Sequence, residues 1–427
     1  MEHFWIEGGH PLNGAIRPAG NKNAALPLLA ACLLTDETLC LENVPGIGDV
    51  RTKMELLARM GVEVELDEEN CCTLRAEGMK DNQPDLELSR RIRTAPLLAG
   101  PLLARYGHVT IGLPGGDRIG RRRLDTHFLA LRELGAELEV ESDRFTLRAD
   151  RLRGADIFLD EMSVTGTEQA VMGAVTARGA TSISNAASEP HIQDLCHCLN
   201  SMGGRIKGIG TNRLEIQGVD RLGGATFTLG PDYMEVGSLI GLAAATRSSL
   251  RILKARPYEH RMSRIVFGRL GVRWEDDGED IVVPADQELS VIAEADGAIP
   301  KIDDMPWPGF PPDLISIALV VATQASGTTL IHQKMYDRRL VFVDRLIEMG
   351  AKIVLCDPHR AVVIGPSALH GERLMSPDIR AGMSLVIAAL AADGVSTIGN
   401  IVQIDRGYEH LETRLQALGA RIERRDS

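Results

Sequence analysis

Apolar and polar positions along the chain follow a pattern that recurs six times, at intervals of 68 to 79 residues. Each copy has a large apolar residue, two variable residues, Met or Leu, and then glycine. Apolar residues three apart predict one buried helix face, and the glycine predicts a left-handed cap at the end of that helix. Alternating segments such as residues 62–66 follow and predict a strand. The six capping glycines are Gly61, Gly135, Gly203, Gly271, Gly350 and Gly419.

A segment of small and apolar residues precedes each of these copies. Because the segments are apolar on nearly all sides, we predict that they form helices buried inside a domain. Units of about 70 residues are too long for the repeats of a solenoid, so three units in each of two globular domains are favoured. The segments span residues 24–34, 95–105, 168–177, 235–245, 314–324 and 380–391.

The arrangement predicts an α/β protein with two domains that meet near Gly230 and Pro231. A chain of 427 residues ordinarily needs more than one core. Residues 1–20 carry two strand-like segments ahead of the first unit, and periodicity leaves open which domain they join. Aromatic residues make up 4% of the chain, so both cores must be built from aliphatic side chains.

The charge and the cysteine content of the chain argue against several classes of function. The net charge of −12 argues against a nucleic-acid-binding surface, yet it allows a local basic pocket for an acidic ligand. Seven cysteines at irregular spacing predict free thiols, and the chain has neither a signal-peptide pattern nor a membrane-spanning apolar stretch. We therefore expect a cytoplasmic protein. Alternate residues of a helix point apart, so Cys196 and Cys198 predict buried thiols and no metal site.

Several motifs at the starts of the predicted elements are rich in glycine and charged residues. Taken together, they make the chain similar to the enolpyruvyl transferase family over nearly its whole length. The resemblance implies two inside-out α/β barrel domains that face each other across a cleft, one comprising residues 21–230 and the other residues 1–20 and 231–427. The motifs lie at residues 20–27, 113–120, 163–168, 185–190, 308–314, 378–380 and 404–408.

The resemblance assigns roles to individual residues of this sequence. It implies phosphoenolpyruvate and UDP-N-acetylglucosamine as substrates, no cofactor, and transfer of the enolpyruvyl group to the sugar 3-hydroxyl with release of phosphate. The catalytic residues are then Asp117, Asp313, Lys22, Asn23 and Arg406. Phosphoenolpyruvate is bound by Lys22, Asn23, Arg122, Arg380 and Arg406, with Arg339 as a less definite addition. The nucleotide sugar is bound by Arg93, Arg122, Arg123, Leu124, Asp125, Thr126, Ser163, Val164, Asp313 and Met335.

Asp117 stands where many members of the family carry a cysteine. In the family this residue donates a proton to the methylene carbon of phosphoenolpyruvate. A free aspartate is about one-thousandth protonated at neutral pH, so substrate anions and desolvation must raise its pKa. A carboxylate is also a poor nucleophile towards an epoxide, and we expect insensitivity to fosfomycin, which alkylates the loop cysteine in this family.

The acceptor and the partners remain open in three respects. Pro312, Ile315, Glu161 and His191 depart from what the resemblance leads us to expect, so a relative that uses another nucleotide or sugar acceptor is an alternative. A catalytically inactive ligand-binding relative is a second alternative, although Lys22 and the two catalytic aspartates are all present. No nucleic-acid or membrane partner is expected, and the oligomeric state is open.

Overall fold

The computed structural model describes residues 2–79, 81–115, 120 and 122–426. The chain folds into two compact units. The N-terminal unit comprises the described residues from Gly20 to Gly230 except Gly120, and the C-terminal unit comprises Pro231–Ser427 together with the leading segment Met1–Ala19. Gly120 belongs to the C-terminal unit, a detail that the repeat pattern did not predict.

The helices alternate between buried and amphipathic segments along the chain. Short 3-10 turns lie at Cys32–Leu34, Ala95–Leu98, Pro257–His260 and Pro312–Leu314. The α-helices are α1 Lys22–Ala31, α2 Gly48–Arg59, α3 Leu86–Ser89, α4 Ala99–Tyr106, α5 Asp125–Glu133, α6 Val164–Ala174, α7 Pro190–Ser201, α8 Tyr233–Ala245, α9 Arg261–Gly268, α10 Ile315–Gln324, α11 Val343–Glu348, α12 Ile379–Ala391, α13 Val402–Asp405 and α14 Leu411–Gln416.

Short strands separate the helices. They are β1 His3–Glu7, β2 Asn13–Ile16, β3 Leu39–Glu42, β4 Glu63–Leu66, β5 Cys72–Arg75, β6 His108–Gly112, β7 Glu137–Val140, β8 Arg144–Arg148, β9 Asp156–Phe158, β10 Ala180–Ser184, β11 Ile206–Lys207, β12 Arg213–Gln217, β13 Ala225–Thr228, β14 Ser249–Ile252, β15 Glu275–Asp277, β16 Asp280–Val283, β17 Lys301–Asp303, β18 Gly327–His332, β19 Lys352–Asp357, β20 Arg360–Gly365, β21 Arg373–Met375, β22 Val395–Gly399 and β23 Arg421–Arg425.

Each unit packs three sheets around buried helices. The sheets of the N-terminal unit have the strand orders β13-β3-β5-β4, β6-β8-β7 and β11-β12-β10-β9. Those of the C-terminal unit have the orders β15-β16-β14-β2, β17-β18-β20-β19 and β21-β22-β1-β23. In the C-terminal unit α8, α10 and α12 contact one another, and each also contacts a strand. Sheets outside and apolar helices inside give the expected inside-out α/β architecture.

The local predictions are confirmed at the helix ends. All six predicted capping glycines have positive φ, between 82° and 100°, which is a conformation that glycine adopts without steric cost. The predicted strands follow them as β4, β7, β11, β15, β19 and β23. Both leading segments are strands, but they do not pair with each other: β1 lies between β22 and β23, whereas β2 pairs with β14.

Candidate active site

Lys22 is the first residue of α1, in the N-terminal unit. Asn21 caps this helix, because its Oδ1 accepts hydrogen bonds from the backbone N–H groups of Asn23, at 2.8 Å, and Ala24, at 3.3 Å. The Lys22 Nζ atom lies 2.8 Å from Oδ2 of Asp49, in the first turn of α2. A helix N-terminus together with a lysine suits an anion. Sequence reasoning missed Asp49, since only the packing of α2 on α1 brings it close.

Arg93 holds residues 122 and 123, called the arginine segment below, through their backbone. Its Nη2 donates to the carbonyl oxygens of Arg122, at 2.9 Å, and Arg123, at 3.0 Å. The Arg123 guanidinium lies within 3.1 Å of Asp125 and within 2.9 Å of Asp160. The structure thus brings Arg93, Arg122 and Arg123 together, and acidic side chains already pair with Arg123.

The residues around Asp160 form one polar cluster at the starts of α5 and α6. Thr126, on α5 directly after Leu124 and Asp125, donates from Oγ1 to Oδ1 of Asp160 at 2.7 Å. This hydrogen bond and the charge of Arg123 lower the pKa of Asp160. Ser163 caps α6, whose first residue is Val164, by accepting from the N–H of Gly166 at 3.1 Å. The backbone N–H of Ser163 donates to the carbonyl of Glu161 at 2.7 Å.

His127 was not predicted, although it lies beside the arginine segment. Its Nε2 is 2.8 Å from Oγ1 of Thr165. Burial lowers its pKa to about 3, and the nearby charges of Arg93 and Arg122 act in the same direction. The imidazole is therefore neutral at physiological pH. A histidine on the inner face of a predicted helix was the only sequence signal, and it does not distinguish a core residue from a site residue.

Asp313 lies in the C-terminal unit, in the 3-10 turn just before α10. It does not cap that helix, because the residue at the α10 cap position is Leu314, which makes no side-chain cap hydrogen bond. Its carboxylate instead accepts from Nη2 of Arg339 and from Nε of Arg380, the latter at 3.0 Å. The predicted base is thus held between two guanidinium groups.

Arg380 is buried at the start of α12 with only 4% of its surface exposed. Asp378 caps this helix by accepting from the N–H groups of Arg380 and Ala381, and it lies 3.5 Å from Nη1 of Arg339. Burial alone would lower the pKa of Arg380, but Tyr408, Asp232 and Asp313 keep it well above its ordinary value. Within the part of the chain that the structure describes, Nη1 of Arg380 has no hydrogen-bond partner.

Met335 and Arg406 are the remaining predicted site residues of the C-terminal unit. The backbone N–H of Met335 donates to Oδ2 of Asp304 at 3.1 Å. Asp304 is fully buried and was not predicted. Arg406 follows α13, and its Nη1 donates to Oε1 of Gln403 at 2.8 Å. Asp117, the predicted proton donor, lies outside the described residues.

The side chains that ordinarily ligate metals are scattered over the two units. Among the described residues, His, Cys, Asp and Glu form no group of three or more with a metal-binding arrangement. Cys196 and Cys198 are buried in α7 and all seven cysteines are free thiols. No helix in the described ranges is long and apolar enough to cross a membrane.

Comparison with known proteins defines the class. The family model for EPSP synthase (3-phosphoshikimate 1-carboxyvinyltransferase) matches residues 6–415. The chain therefore belongs to this family, which confirms the resemblance to the enolpyruvyl transferases. The enolpyruvyl transferase NikO from Streptomyces tendae has the same fold, with a TM-score of 0.89, 23% identity, and coverage of 100% of this chain and 99% of that one. EPSP synthase from Acinetobacter baumannii gives a TM-score of 0.75 at 18% identity and full coverage of both chains.

Curated relatives within the family are much more similar in sequence. The chain is 54% identical over 423 residues to UDP-N-acetylglucosamine 1-carboxyvinyltransferase from Treponema denticola, covering 99% of each chain. It is also 54% identical over 421 residues to the enzyme of that name from Bradyrhizobium diazoefficiens, covering 99% of this chain and 97% of the relative. The enzyme of that name from Bacteroides thetaiotaomicron is 49% identical, with 99% and 100% coverage.

Proposed function

We propose that the protein is a transferase that moves the enolpyruvyl group of phosphoenolpyruvate to the 3-hydroxyl of UDP-N-acetylglucosamine and releases phosphate. The observation that carries the proposal is the position of Asp313 between Arg339 and Arg380 at the starts of two buried helices. At this place a carboxylate that can accept a proton lies beside guanidinium groups that can bind a carboxylate or a phosphate. The names of relatives about 50% identical over their full length support the same reaction.

Asp313 takes the proton of the acceptor hydroxyl as that oxygen attacks the central carbon of phosphoenolpyruvate. The two guanidinium groups contact this carboxylate and compete with the hydroxyl proton for it. When the anionic groups of phosphoenolpyruvate bind Arg380, they offset part of its positive charge. This charge compensation leaves the Asp313 carboxylate available to accept the hydroxyl proton, so substrate binding itself activates the residue.

The cationic residues hold the charge that moves during the reaction. Nη1 of Arg380 donates to no acceptor among the described residues, and a buried donor without a partner favours binding of an anion. Lys22 and Asn23 at the start of α1 are proposed to bind the same substrate, with Arg122 and Arg406. Phosphate then leaves as the former methylene carbon returns a proton to the Asp117 carboxylate, which restores the vinyl group, and the cations stabilise the departing phosphate.

Asp117 is proposed to supply the proton that the methylene carbon gains in the first step. We also propose that the enzyme is insensitive to fosfomycin, because a carboxylate attacks an epoxide far more slowly than a thiolate. The test is time-dependent inactivation of the unaltered enzyme and of Asp117→Cys, with mass spectrometry of the loop peptide. Asp117→Cys should remain active and become irreversibly inhibited. Rapid modification of Asp117 itself would contradict this assignment.

The acceptor is tested directly by measuring phosphate release from phosphoenolpyruvate. The panel contains UDP-N-acetylglucosamine, UDP-glucose, UDP-N-acetylgalactosamine and 3-phosphoshikimate. Release with the first acceptor alone is the expected result. Another nucleotide sugar as the better acceptor would favour a related transferase, for which the pairing of Arg123 with Asp125 and Asp160 gives a structural reason. No release with any acceptor, despite ligand binding, would indicate an inactive binding protein.

The cellular role follows from the reaction. Enolpyruvyl-UDP-N-acetylglucosamine is the product of the first committed step of peptidoglycan synthesis, so we propose roles in cell-wall formation, cell shape and cell division. A cytoplasmic location belongs to the same proposal, and the seven free cysteines suit a reducing compartment. The proposed chemistry needs no metal or organic cofactor, because charged side chains perform each step.

A further inference from the structure

A buried lysine of the N-terminal unit has no place in the site assigned above. Lys53 lies on α2, one helical turn after Asp49, and none of its surface is exposed. Its Nζ donates a hydrogen bond of 2.9 Å to the backbone carbonyl of Thr94. A fully buried ammonium group is costly unless other groups compensate for the lost hydration. The burial of a lysine at this position therefore needs a structural or functional reason.

Two other buried groups, Cys32 and Glu168 on α6, act on the charge of Lys53, and both are at most 1% exposed. Burial lowers the pKa of Lys53 to about 7, while Cys32 and Glu168 act in the opposite direction. Burial likewise raises the pKa of Glu168, Glu189 adds to that rise, and Lys53 opposes it. Lys53 on α2 and Glu168 on α6 are thus a pair of buried groups, each of which influences the charge of the other.

The Thr94 carbonyl connects this pair to the arginine segment. Thr94 follows Arg93, whose Nη2 donates to the carbonyls of Arg122 and Arg123 at 2.9 and 3.0 Å. A shift of the Thr94 backbone would therefore move the guanidinium that holds this segment. Lys53 also lies on the helix that supplies Asp49 to Lys22, and Glu168 lies on the helix that Ser163 caps. The Lys53 ammonium group thus acts on the arginine segment through the Thr94 carbonyl and Arg93.

We propose that Lys53 is a positioning residue for the nucleotide-sugar acceptor: its ammonium group holds the Thr94 carbonyl and so fixes Arg93 and the segment 122–123 relative to the start of α6. The inference rests on the proposed function for the identity of the acceptor. Lys53 touches neither substrate in this assignment and acts through Arg93. Its removal should weaken acceptor binding and leave the reacting groups unchanged.

The experiment compares Lys53→Met, Glu168→Gln and the double variant by steady-state kinetics and thermal unfolding. Methionine keeps most of the aliphatic volume and removes the hydrogen bond to Thr94. We expect Lys53→Met to raise KM for UDP-N-acetylglucosamine by about tenfold and to leave kcat within about twofold of the unaltered enzyme. KM for phosphoenolpyruvate should rise less, because Arg122 is one of several residues proposed to bind that substrate. Glu168→Gln is the matched control, because it disturbs the pair but keeps the lysine: its Tm should fall and its KM should stay near normal.

The double variant separates positioning from stability. The double variant also removes the buried carboxyl group that Lys53→Met leaves without the cation that acts on it, so Tm should recover while KM for the acceptor stays raised. If Lys53→Met does not fold, the double variant carries the test alone. A KM that returns to normal with Tm, or that never changes, would overturn the proposal and leave Lys53 as a purely structural residue.

Hydrogen exchange requires no enzymatic turnover, so it tests this inference independently of the proposed function. Hydrogen exchange of the ligand-free proteins should be faster at residues 91–95 and 122–126 in Lys53→Met and the double variant, but not in Glu168→Gln. Unchanged exchange there would contradict the positioning role even if the acceptor assignment holds. No phosphate release by the unaltered enzyme would instead refute the proposed function and leave the exchange result to decide the role of Lys53.

Discussion

The two units place different charges at the starts of their buried helices. In the C-terminal unit each of these starts carries a carboxylate, whereas in the N-terminal unit each carries a neutral polar side chain. Negative groups near a helix N-terminus are stabilising, and they satisfy the partial positive charge that an anionic ligand would otherwise meet. The residues are Asp232, Asp313 and Asp378 in the C-terminal unit, and Asn21, Thr94 and Ser163 in the N-terminal unit.

This difference indicates that the helix starts of the two units serve different purposes. The helix starts of the C-terminal unit are already occupied by the protein's own anions, and Arg339 and Arg380 hold these in place. The capping residues of the N-terminal unit are uncharged, and Lys22 lies beside one of them with Asp49 as its partner. The N-terminal unit is thus suited to receive negative charge from a ligand, and the C-terminal unit to position a carboxylate for chemistry.

The largest expected effect comes from removing the charge of Asp313. Asp313→Asn keeps the size of the side chain but cannot accept the hydroxyl proton, so kcat should fall by at least about a hundredfold. Binding of UDP-N-acetylglucosamine, measured by calorimetry, should persist. Asp344→Asn is the matched control, because Asp344 is an exposed carboxylate in the first turn of α11 in the same unit. Normal turnover by Asp313→Asn would contradict the proposal that the C-terminal unit positions a carboxylate for chemistry.

A smaller effect is expected from making the N-terminal unit resemble the C-terminal one. Asn21→Asp preserves the cap of α1, since aspartate caps as well as asparagine. Its added charge beside Lys22 should raise KM for phosphoenolpyruvate by about tenfold, through repulsion between like charges at short range. Stability should be unchanged or slightly higher.

Asn21→Ser is the control for this substitution, because it also caps the helix but adds no charge. It should leave KM for phosphoenolpyruvate near that of the unaltered enzyme. Equal KM values for Asn21→Asp and Asn21→Ser would mean that the start of α1 does not bind the anion. The contrast between neutral and acidic helix starts would then have no functional meaning.

Features that depend on local conformation could be predicted from the sequence, and those that depend on distant pairing could not. Gly61 and Gly419 were predictable because a helix that ends before a strand needs a residue that tolerates positive φ. The partner of Lys22 was not predictable, because Asp49 lies 27 residues away and only packing of α2 on α1 brings it close. For Asp313, the local sequence pattern does not separate a helix cap from a functional residue, and only the family resemblance implied the role of base.

The smallest expected effect compares a buried histidine from each unit. Burial is the main reason that His127 and His260 each have a pKa of about 3. Because the unfolded chain binds these protons near pH 6.5, the histidines favour folding above that pH. This contribution is lost as pH falls towards 3. Each should cost about 1 kcal/mol of stability between about pH 7.5 and 5.5.

Urea unfolding across this pH range measures that contribution, and His260→Gln and His127→Gln should each reduce its slope. The two units should differ once UDP-N-acetylglucosamine is bound. Charges of Arg93 and Arg122 help to lower the pKa of His127, whereas the charged group that lowers the pKa of His260 is Arg264. An anion at Arg93 and Arg122 should raise the pKa of His127 alone. Equal ligand dependence of both histidines would contradict anion binding in the N-terminal unit.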